Sequence, residues 1–556
     1  MRYAYHLLIL GLFCIQPAAA QTDPSLVGTC ATGTAEAYLD VNNVRARIVN
    51  TGGLFYRGSP DVYEVPKGTG LKVIFADGLW VGGMINDELR VAGATYGPYE
   101  FWPGPIETAG IPPTDCLSYD RIWSFNRFDE GVILGKPAAF SIDILEWPVE
   151  AGAPFVNVYG GPEYEPAFGD YPFILGTQMH WWIMNDLGNI HERGSTNPLG
   201  IEVQVSAFAF DDIPLLENVT FYRYHITNKN VLPIHDMRVG KFADVDLGAG
   251  FDDYVATDTT LSLVYGYNAD DDDDGNYGTA PPAIGIATIE ASHSRGGFPS
   301  DNPSDRPADY GDFMTNSMYY SGGGGNVGDP GNGVDIYNYL RNIWKNGMPL
   351  TIGGNGLGFS QVRTKYMFPG DPTTSSFWSE LNVDNLGMPV PPADRRMISS
   401  YGPFDLDPGD SVTFTYAYVW ARGASNLDSI TKLKELTRIV HVAKESILQP
   451  LPEDYWFKFI DRNLPERPQQ SFWMDPVFPN PSNGPVAVKY SLSLDGNVEI
   501  AVFDVLSRKV ASVMSGVQVA GPHETQFNTS DLPPGVYTIR LKSNRQTSTQ
   551  LLTVVR

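Results

Sequence analysis

Hydrophobic and polar residues alternate along most of the chain, which is the period of a β-strand and not of a helix. The alternating stretches are rich in β-branched and aromatic residues and include residues 71–75, 201–205, 220–226 and 412–419. Turns rich in glycine, proline or aspartate separate them, for example at 50–53, 56–60, 66–70 and 407–410. Many short strands with such turns are typical of sandwiches, so we predict a mainly β, multi-domain protein built of antiparallel β-sandwiches.

One stretch near 427–448 has the period of a helix instead. Its hydrophobic residues recur mostly at spacings of three and four, which predicts a single amphipathic helix that packs against a sheet. Asn426 is a suitable N-cap, and Pro450 ends the helix. Residues 270–335 are rich in aspartate, glycine, proline and serine, and we interpret them as long surface loops between strands.

The first twenty residues have the pattern of a secretory signal peptide. Arg2 precedes an apolar run at 7–15, and the alanines at 18–20 predict cleavage before Gln21. No later stretch is apolar over the roughly eighteen residues that a transmembrane helix needs, so we expect no transmembrane anchor. Export brings Cys30 and Cys116 into an oxidising compartment. We expect one disulfide between them, and two buried free thiols are the alternative.

Composition narrows the function classes. The 556 residues contain 38 Lys and Arg against 64 Asp and Glu, a net charge of −26. Such a chain repels a phosphate backbone, so we expect no nucleic-acid partner. Aromatic residues make up 12% of the chain, which indicates packed cores. We divide the chain into a signal peptide at 1–20, an N-terminal β-rich region at 21–170, a central β-sandwich region at 171–455, a linker at 456–474 and a C-terminal domain at 475–556.

The C-terminal domain has strand patterns at 486–492, 498–504, 536–541 and 550–555, which predict an immunoglobulin-like sandwich of about seven strands. Its motifs include Phe478-Pro-Asn-Pro481, Tyr490-Ser-Leu492, Gly521-Pro-His523 and Leu532-Pro-Pro-Gly-Val-Tyr537. In their order and spacing these motifs resemble the C-terminal sorting domain, type A-like, of type IX secretion cargo. The motif positions are Pro479, Asn480, Pro481, Asp504, Gly535 and Tyr537. Near Ser507 the family usually has a glycine, a departure that concerns one turn.

The resemblance implies a route of export. The signal peptide takes the chain to the periplasm, and the type IX outer-membrane secretion machinery recognises the folded C-terminal domain and delivers the protein to the cell surface or the medium. In the family this domain is often removed as cargo is released or attached to the surface. The preceding body also resembles secreted, mostly uncharacterised proteins of bacteria that use this route, in segments such as 43–53, 75–83, 244–253 and 401–404. That resemblance implies kinship and export but no activity.

Acidic residues are the strongest chemical signal, and the cofactor they suit is calcium. Five aspartates fall within fifteen residues, around two glycines: Asp244, Asp246, Asp252, Asp253 and Asp258. Carboxylate oxygens on a glycine-rich turn suit this hard cation, although the spacing is not that of an EF-hand. A solvated acidic loop is the alternative. We interpret the aspartate run at 270–274 as such a loop, because consecutive side chains cannot all converge.

Signatures of catalysis are missing from the sequence. It contains no Gly-x-Ser-x-Gly elbow, and Ser195 stands where a zinc-binding helix that starts at His191 needs its second histidine. His180 and His191 are therefore interpreted as structural. Tryptophans cluster early in the chain and either stack on sugars or fill a core, the second being favoured: Trp80, Trp102, Trp123, Trp147, Trp181 and Trp182.

Together these features predict an exported protein of the cell surface or medium whose body is structural, adhesive or ligand-binding, with a glycan or another surface component as partner and calcium as a stabiliser. Two alternatives stay open at this level. One is a secreted hydrolase that acts on polysaccharide, and the other is a subunit of an extracellular assembly.

Overall fold

The computed structural model is mainly β, which confirms the fold class that the alternating pattern predicts. It describes residues 23–58, 63–97, 100–126, 142–157, 163–166, 170–273, 276–294, 314–374, 377–382, 386–450, 472–492, 495–504, 508–543 and 546–556. These residues fall into two compact units. We call them the body, drawn from residues up to 154 and from 172–460, and the C-terminal unit, drawn from 155–171 and 461–556. The predicted signal peptide and residues 456–471 of the predicted linker lie outside the described residues.

The strands ahead of residue 450 are numbered here in chain order. They are β1 (Glu36–Leu39), β2 (Arg45–Val49), β3 (Gly53–Leu54), β4 (Tyr63–Glu64), β5 (Ile74–Ile85), β6 (Glu88–Gly93), β7 (Trp102–Pro103), β8 (Trp123–Asn126), β9 (Phe155–Val156), β10 (Tyr171–Pro172), β11 (Gln178–Asn185), β12 (Ile201–Ala209), β13 (Val219–Asn228), β14 (Ile234–Val245), β15 (Asp253–Asp258), β16 (Leu263–Asn268), β17 (Asp272–Asp273), β18 (Gly278–Thr279), β19 (Ala283–His293), β20 (Asn316–Ser321), β21 (Arg395–Leu406) and β22 (Ser411–Ala421).

Two large antiparallel sheets form most of the body. The nine-stranded sheet has the order β15-β16-β19-β22-β13-β12-β11-β7, and β8 also pairs with β11. The six-stranded sheet has the order β20-β21-β14-β5-β3, and β6 also pairs with β5. A smaller sheet has the order β1-β2-β4. Because β5 lies beside β14 and β7 beside β11, the predicted regions 21–170 and 171–455 contribute to the same sheets.

The two large sheets face each other across a buried polar bridge. On one side, Lys241 of β14 donates from Nζ to the hydroxyl of Tyr224 on β13, 2.6 Å away. On the other side, the hydroxyl of Tyr418 on β22 donates to the carboxylate of Asp77 on β5. Lys241 and Asp77 also form an ion pair with each other, and both side chains are fully buried. Side chains that alternate along each strand therefore meet in a shared sandwich core.

Three α-helices occur within the described ranges: α1 (Ile142–Leu145), α2 (Gly333–Tyr339) and α3 (Asn426–Ile447). The last is the helix predicted near 427–448, and it packs on β16, β19 and β22. Its N-cap is Ser425, whose hydroxyl accepts a hydrogen bond from the Asp428 N–H at 3.1 Å, so the cap lies one residue earlier than predicted. The buried face of α3 carries Ile430, Leu433 and Val440.

The stretch 270–335, for which loops are predicted, contains regular structure. β19 is an eleven-residue strand in the interior of the nine-stranded sheet, and β20 and the start of α2 also fall in this stretch. Small and β-branched residues alternate along β19, which is a strand signal. The signal is hard to recognise because the neighbouring segments are polar. Residues 274–275 and 295–313 of the stretch lie outside the described residues.

Between residues 472 and 556, the C-terminal unit contains seven described strands in two sheets. They are β23 (Trp473–Met474), β24 (Pro485–Leu492), β25 (Gly496–Phe503), β26 (Lys509–Gln518), β27 (Gly521–Asn528), β28 (Gly535–Ser543) and β29 (Gln546–Val554). One sheet has the order β23-β24-β27 and the other β26-β25-β28-β29. Alternating hydrophobic residues of both sheets form one core, which includes Val488, Ile500 and Ile539. β23 falls within the predicted linker and already pairs with β24.

Candidate functional site

The predicted acidic site centres on the loop between β14 and β15, which we call the acidic loop (residues 246–252). Gly248 in this loop has a φ of 75°, a left-handed conformation that favours glycine. A Cβ atom there would lie 2.7 Å from Cγ of Asp273, and one on Gly250 would lie 2.7 Å from Cγ of Asp246. The two glycines therefore let carboxylates lie directly against the loop backbone.

Hydrogen bonds tie three carboxylates to the acidic loop and its surroundings. Asp253 accepts at Oδ2 from the Leu247 N–H at 3.0 Å. Asp273, in β17, accepts at Oδ1 from the Ala249 N–H at 3.0 Å and at Oδ2 from the Tyr277 N–H at 2.8 Å. Asp252 accepts at Oδ2 from the Asn268 side chain at 2.9 Å. Asp253 and Asp273 are fully buried. The interpretation of 270–274 as a solvated run does not hold for Asp273, while Asp270, Asp271 and Asp272 are exposed.

Asp244 forms an ion pair with a guanidinium group. It lies on β14 directly opposite Arg396 of β21, and Arg396 Nε is 3.0 Å from its Oδ1. The same guanidinium contacts Asp394 at 2.6 Å. Oxygens of Asp244, Asp246 and Asp394 lie within 4.8 Å of one another, close enough for a metal ion. Arg396, however, already brings the positive charge that the buried Asp244 needs. Burial raises the pKa of Asp244 to about 8, and Arg396 opposes that rise.

Asp258 lies at the far end of β15, about 17 Å from Asp253 at the usual strand rise. It caps the following turn by accepting from the Thr260 N–H at 3.1 Å. Lys434 of α3 places Nζ 3.3 Å from its Oδ2. The structure thus places Asp246, Asp252 and Asp253 at or beside the acidic loop. Asp244 and Asp258 instead pair with Arg396 and Lys434. Asp273 joins the loop from β17, which the local sequence spacing does not indicate.

The early tryptophans are core residues. Trp102 is the most exposed of them at 5%, and Trp80, Trp123, Trp147, Trp181 and Trp182 are more buried still. Trp181 packs against the rings of Trp123 at 5.3 Å and Trp147 at 5.0 Å. The indole N–H groups of Trp123 and Trp147 donate to backbone carbonyls at 2.9 and 3.0 Å. Packing, and not exposure to sugars, accounts for these rings.

The two histidines considered for zinc use both ring nitrogens in hydrogen bonds. In His191 the nitrogens lie 2.8 Å from the carbonyl oxygens of Val91 and Asp186. In His180, Nδ1 lies 2.9 Å from the Ser124 hydroxyl and Nε2 lies 2.9 Å from the Tyr38 carbonyl. These partners make both side chains structural. Cys30 and Cys116 are joined by a disulfide, with their Cα atoms 5.8 Å apart.

The sorting-domain motif residues lie in turns and at strand ends of the C-terminal sandwich. Asn480, between Pro479 and Pro481, donates to the Leu551 carbonyl and accepts from the Thr553 N–H, both at 2.8 Å, and so fastens its segment to β29. Asp504 accepts from the Arg508 N–H at 2.9 Å after β25. Gly535 begins β28, and the Tyr537 hydroxyl donates to the Pro533 carbonyl at 2.8 Å. A tyrosine that bonds back to the chain at a strand start is a recurring corner of immunoglobulin-like sandwiches.

Within the described part of the chain, no helix has the length and hydropathy needed to cross a membrane. Residues 476–555 match a family described as the secretion system C-terminal sorting domain. No curated protein matches the chain. Among solved structures, the chain is similar to a polysaccharide lyase at 9% identity and a TM-score of 0.19, with 64% of this chain and 34% of the lyase covered. The chain thus spans about a third of that lyase, and a likeness this low supports no conclusion about fold or activity.

The family match covers the same residues that form the C-terminal sandwich, and it includes every motif position from Pro479 to Tyr537. The C-terminal unit therefore carries a type IX sorting domain, and the protein is a cargo of the type IX secretion machinery that is exported to the cell surface or the extracellular space.

Proposed function

We propose that the body is a structural, adhesive or ligand-binding module that works outside the cell through contacts on its outer surface. The observation that supports this most directly is the filled interior between the two large sheets. Tyr222 and Tyr418 meet edge to face with ring centroids 4.7 Å apart, and Phe55 lies 4.7 Å from Tyr63. Rings packed at these distances fill the interior as in a hydrophobic core and leave little room for a substrate.

The opposite face of the six-stranded sheet is also covered. Trp80, Phe242 and Tyr320 stack on that face, with centroid distances of 5.3 Å between the first two and 6.0 Å between the last two. Tyr339 of α2 stacks on Tyr320 at 5.4 Å. α3 covers β16, β19 and β22 of the other sheet. Contacts with a partner would therefore fall on loops and strand ends, where binding residues are usually found on β-scaffolds.

Charge limits the class of partner. Asp and Glu outnumber Lys and Arg by 64 to 38, so the surface potential favours neutral or cationic partners over polyanions. A neutral glycan or a protein surface rich in lysine fits this potential, whereas an anionic polysaccharide does not.

The test uses the purified mature chain. It is applied to a glycan array, to a panel of neutral and anionic polysaccharides with reducing-end detection, and to light scattering. We expect binding to a neutral glycan or a surface component without release of reducing ends, and a heat-unfolded sample serves as control. Turnover of any polysaccharide would contradict the proposal and favour a hydrolase. A stable multimer in light scattering would instead point to a subunit of an extracellular assembly.

A further inference from the structure

A small surface pocket lies at one edge of the six-stranded sheet. β3 and β6 pair one after the other with the edge of β5 that faces away from β14. The turn after β3 and the loop after β6 therefore meet beside that edge, where they form a pocket of about 70 Å³. Two tyrosines, one arginine and three glycines contribute to its lining: Tyr56, Tyr96, Arg57, Gly53, Gly58 and Gly97.

A strained residue turns the chain at this pocket. Phe55 has a φ of 70°, a left-handed conformation that bulky residues rarely adopt. Across it, the Tyr56 N–H donates to the Leu54 carbonyl at 2.8 Å. The turn sends the Phe55 ring into the core, where it is fully buried, and leaves Tyr56 and Arg57 half-buried at the surface. Backbone strain of this kind is concentrated at ligand-binding sites, so the turn indicates that the placement of these two side chains matters.

Aromatic rings form one side of the pocket. Tyr56 stacks on Phe75 with ring centroids 4.7 Å apart, and Tyr96 meets Tyr56 edge to face at 6.5 Å. The Tyr96 hydroxyl accepts from Arg396 Nε at 2.8 Å, which fixes the ring. Unlike the early tryptophans, these three rings are only half-buried. Rings held in place by their neighbours offer a preorganised apolar surface to a ligand.

Arg57 supplies a polar side of the pocket. Its Nη1 and Nη2 donate to the Thr34 and Gly33 carbonyls, both at 2.8 Å, and these bonds orient the guanidinium. A guanidinium has five N–H groups, so others can donate to the oxygens of a ligand. Both partners are neutral carbonyls, in contrast to the carboxylate of Asp244 that pairs with Arg396.

We propose that this pocket binds one terminal sugar residue of a neutral glycan. A sugar ring has apolar C–H groups on its faces and hydroxyls on its rim, so it can pack on Tyr56 while its oxygens accept from Arg57. At roughly 10 to 15 Å³ for each water, 70 Å³ holds about five waters, which suits the edge of one sugar ring and not a length of chain. The net charge of −26 disfavours an acidic sugar. This inference rests on the proposed function and names its site and ligand.

The test uses the purified mature chain and saturation-transfer NMR. The probes are the methyl glycosides of glucose, galactose, mannose and N-acetylglucosamine, with glucuronic acid as the acidic comparison. We expect at least one neutral glycoside to bind, and the acid to bind more weakly. Tyr56→Ala removes the ring and Arg57→Gln removes the guanidinium, so each should weaken binding about tenfold.

Three further variants serve as controls. Tyr56→Phe keeps the ring and should bind like the wild type. Tyr119→Ala, at a half-buried tyrosine outside the pocket lining, and Arg363→Gln, at an exposed arginine, are the matched controls for the two pocket variants. Both should also bind like the wild type.

Nitration of tyrosine by tetranitromethane gives a second measurement on the unmodified chain, which does not depend on the folding of a variant. A bound neutral glycoside should protect Tyr56 from nitration and leave Tyr119 reactive, as mapped by mass spectrometry. The proposal is overturned if no neutral glycoside binds the wild type, if glucuronic acid binds more tightly, or if Tyr56→Ala binds as well as the wild type.

The pocket and the proposed function can fail separately. A glycan that the array identifies, and that Tyr56→Ala and Arg57→Gln bind as tightly as the wild type, would remove the pocket and leave the proposed function standing. Turnover of a polysaccharide would instead contradict the proposed function itself.

Discussion

In the buried residue His180, hydrogen bonds select the tautomer of the ring and burial sets its charge. Its Nε2 faces the Tyr38 carbonyl, which only accepts, and its Nδ1 faces the Ser124 hydroxyl, which can donate. The neutral ring with its proton on Nε2 satisfies both partners. Burial lowers the pKa of His180 to about 4, and the bond to Tyr38 opposes part of that shift.

This pKa predicts a loss of stability in mild acid. An unfolded histidine takes up a proton below about pH 6.5, whereas folded His180 does so only near pH 4. Between these values the unfolded state holds more protons, so the free energy of unfolding should fall by about 3 kcal/mol as the pH decreases. Urea unfolding at several pH values measures this slope. His180→Gln should flatten it, and His235→Gln, at an exposed histidine, should leave it in place.

At the scale of elements, the Asp77–Lys241 pair specifies how the two large sheets meet. Each charge lies on the six-stranded sheet and bonds to a tyrosine hydroxyl of the nine-stranded sheet. Burial raises the pKa of Asp77 and lowers that of Lys241, and their mutual attraction opposes both shifts. A pair of this kind adds little net stability over a hydrophobic pair, but it penalises any arrangement that separates the charges.

Removing one partner should therefore cost more than removing both. Lys241→Met leaves Asp77 buried without its cation, and we expect the free energy of unfolding to drop by about 3 to 5 kcal/mol. The double variant with Asp77→Asn should recover much of that loss, and chemical denaturation of all four proteins gives the coupling. Lys432→Met removes an exposed ion pair on α3 and should change little. Additive losses in the cycle would show that the pair does not act as a unit.

At the scale of the whole molecule, export and stability are linked through the disulfide. Cys30 and Cys116 are separated by 86 positions, so their bond closes a long loop of the body. Such a bond forms in the oxidising compartments that an exported chain passes through, and not in a reducing cytoplasm. The body should therefore reach its full stability only after it leaves the cytoplasm.

The double variant Cys30→Ser, Cys116→Ser measures this contribution. Loop-closure entropy for a separation of 86 positions predicts a loss of about 4.6 kcal/mol in the free energy of unfolding. Chemical denaturation of the variant and the oxidised wild type gives the difference. Adding a reductant should lower the wild type to the level of the variant and leave the variant unchanged. An equal effect of the reductant on both proteins would show that the disulfide is not its cause.

Local sequence determined the strands, the helix α3 and the sorting domain. Alternation and the helical period depend on residues two to four positions apart, and these neighbours are the same before and after folding. The sorting-domain motifs are short contiguous segments, so their order along the chain was enough to identify the domain. The location of β19 was less evident, because polar segments surround it.

Tertiary structure decided which acids meet and which have basic partners. Asp273 approaches Asp253 because β16 runs back along β15 with Asn268 opposite Asp253, and Asp244 meets Arg396 because β14 and β21 place them in register. Asp258, close to Asp253 in sequence, is carried along β15 to Lys434 instead. Charges interact through space, and strand register sets those distances between residues far apart in sequence. The sequence alone therefore indicated a concentration of acids, and only the paired strands determined which of them lie together.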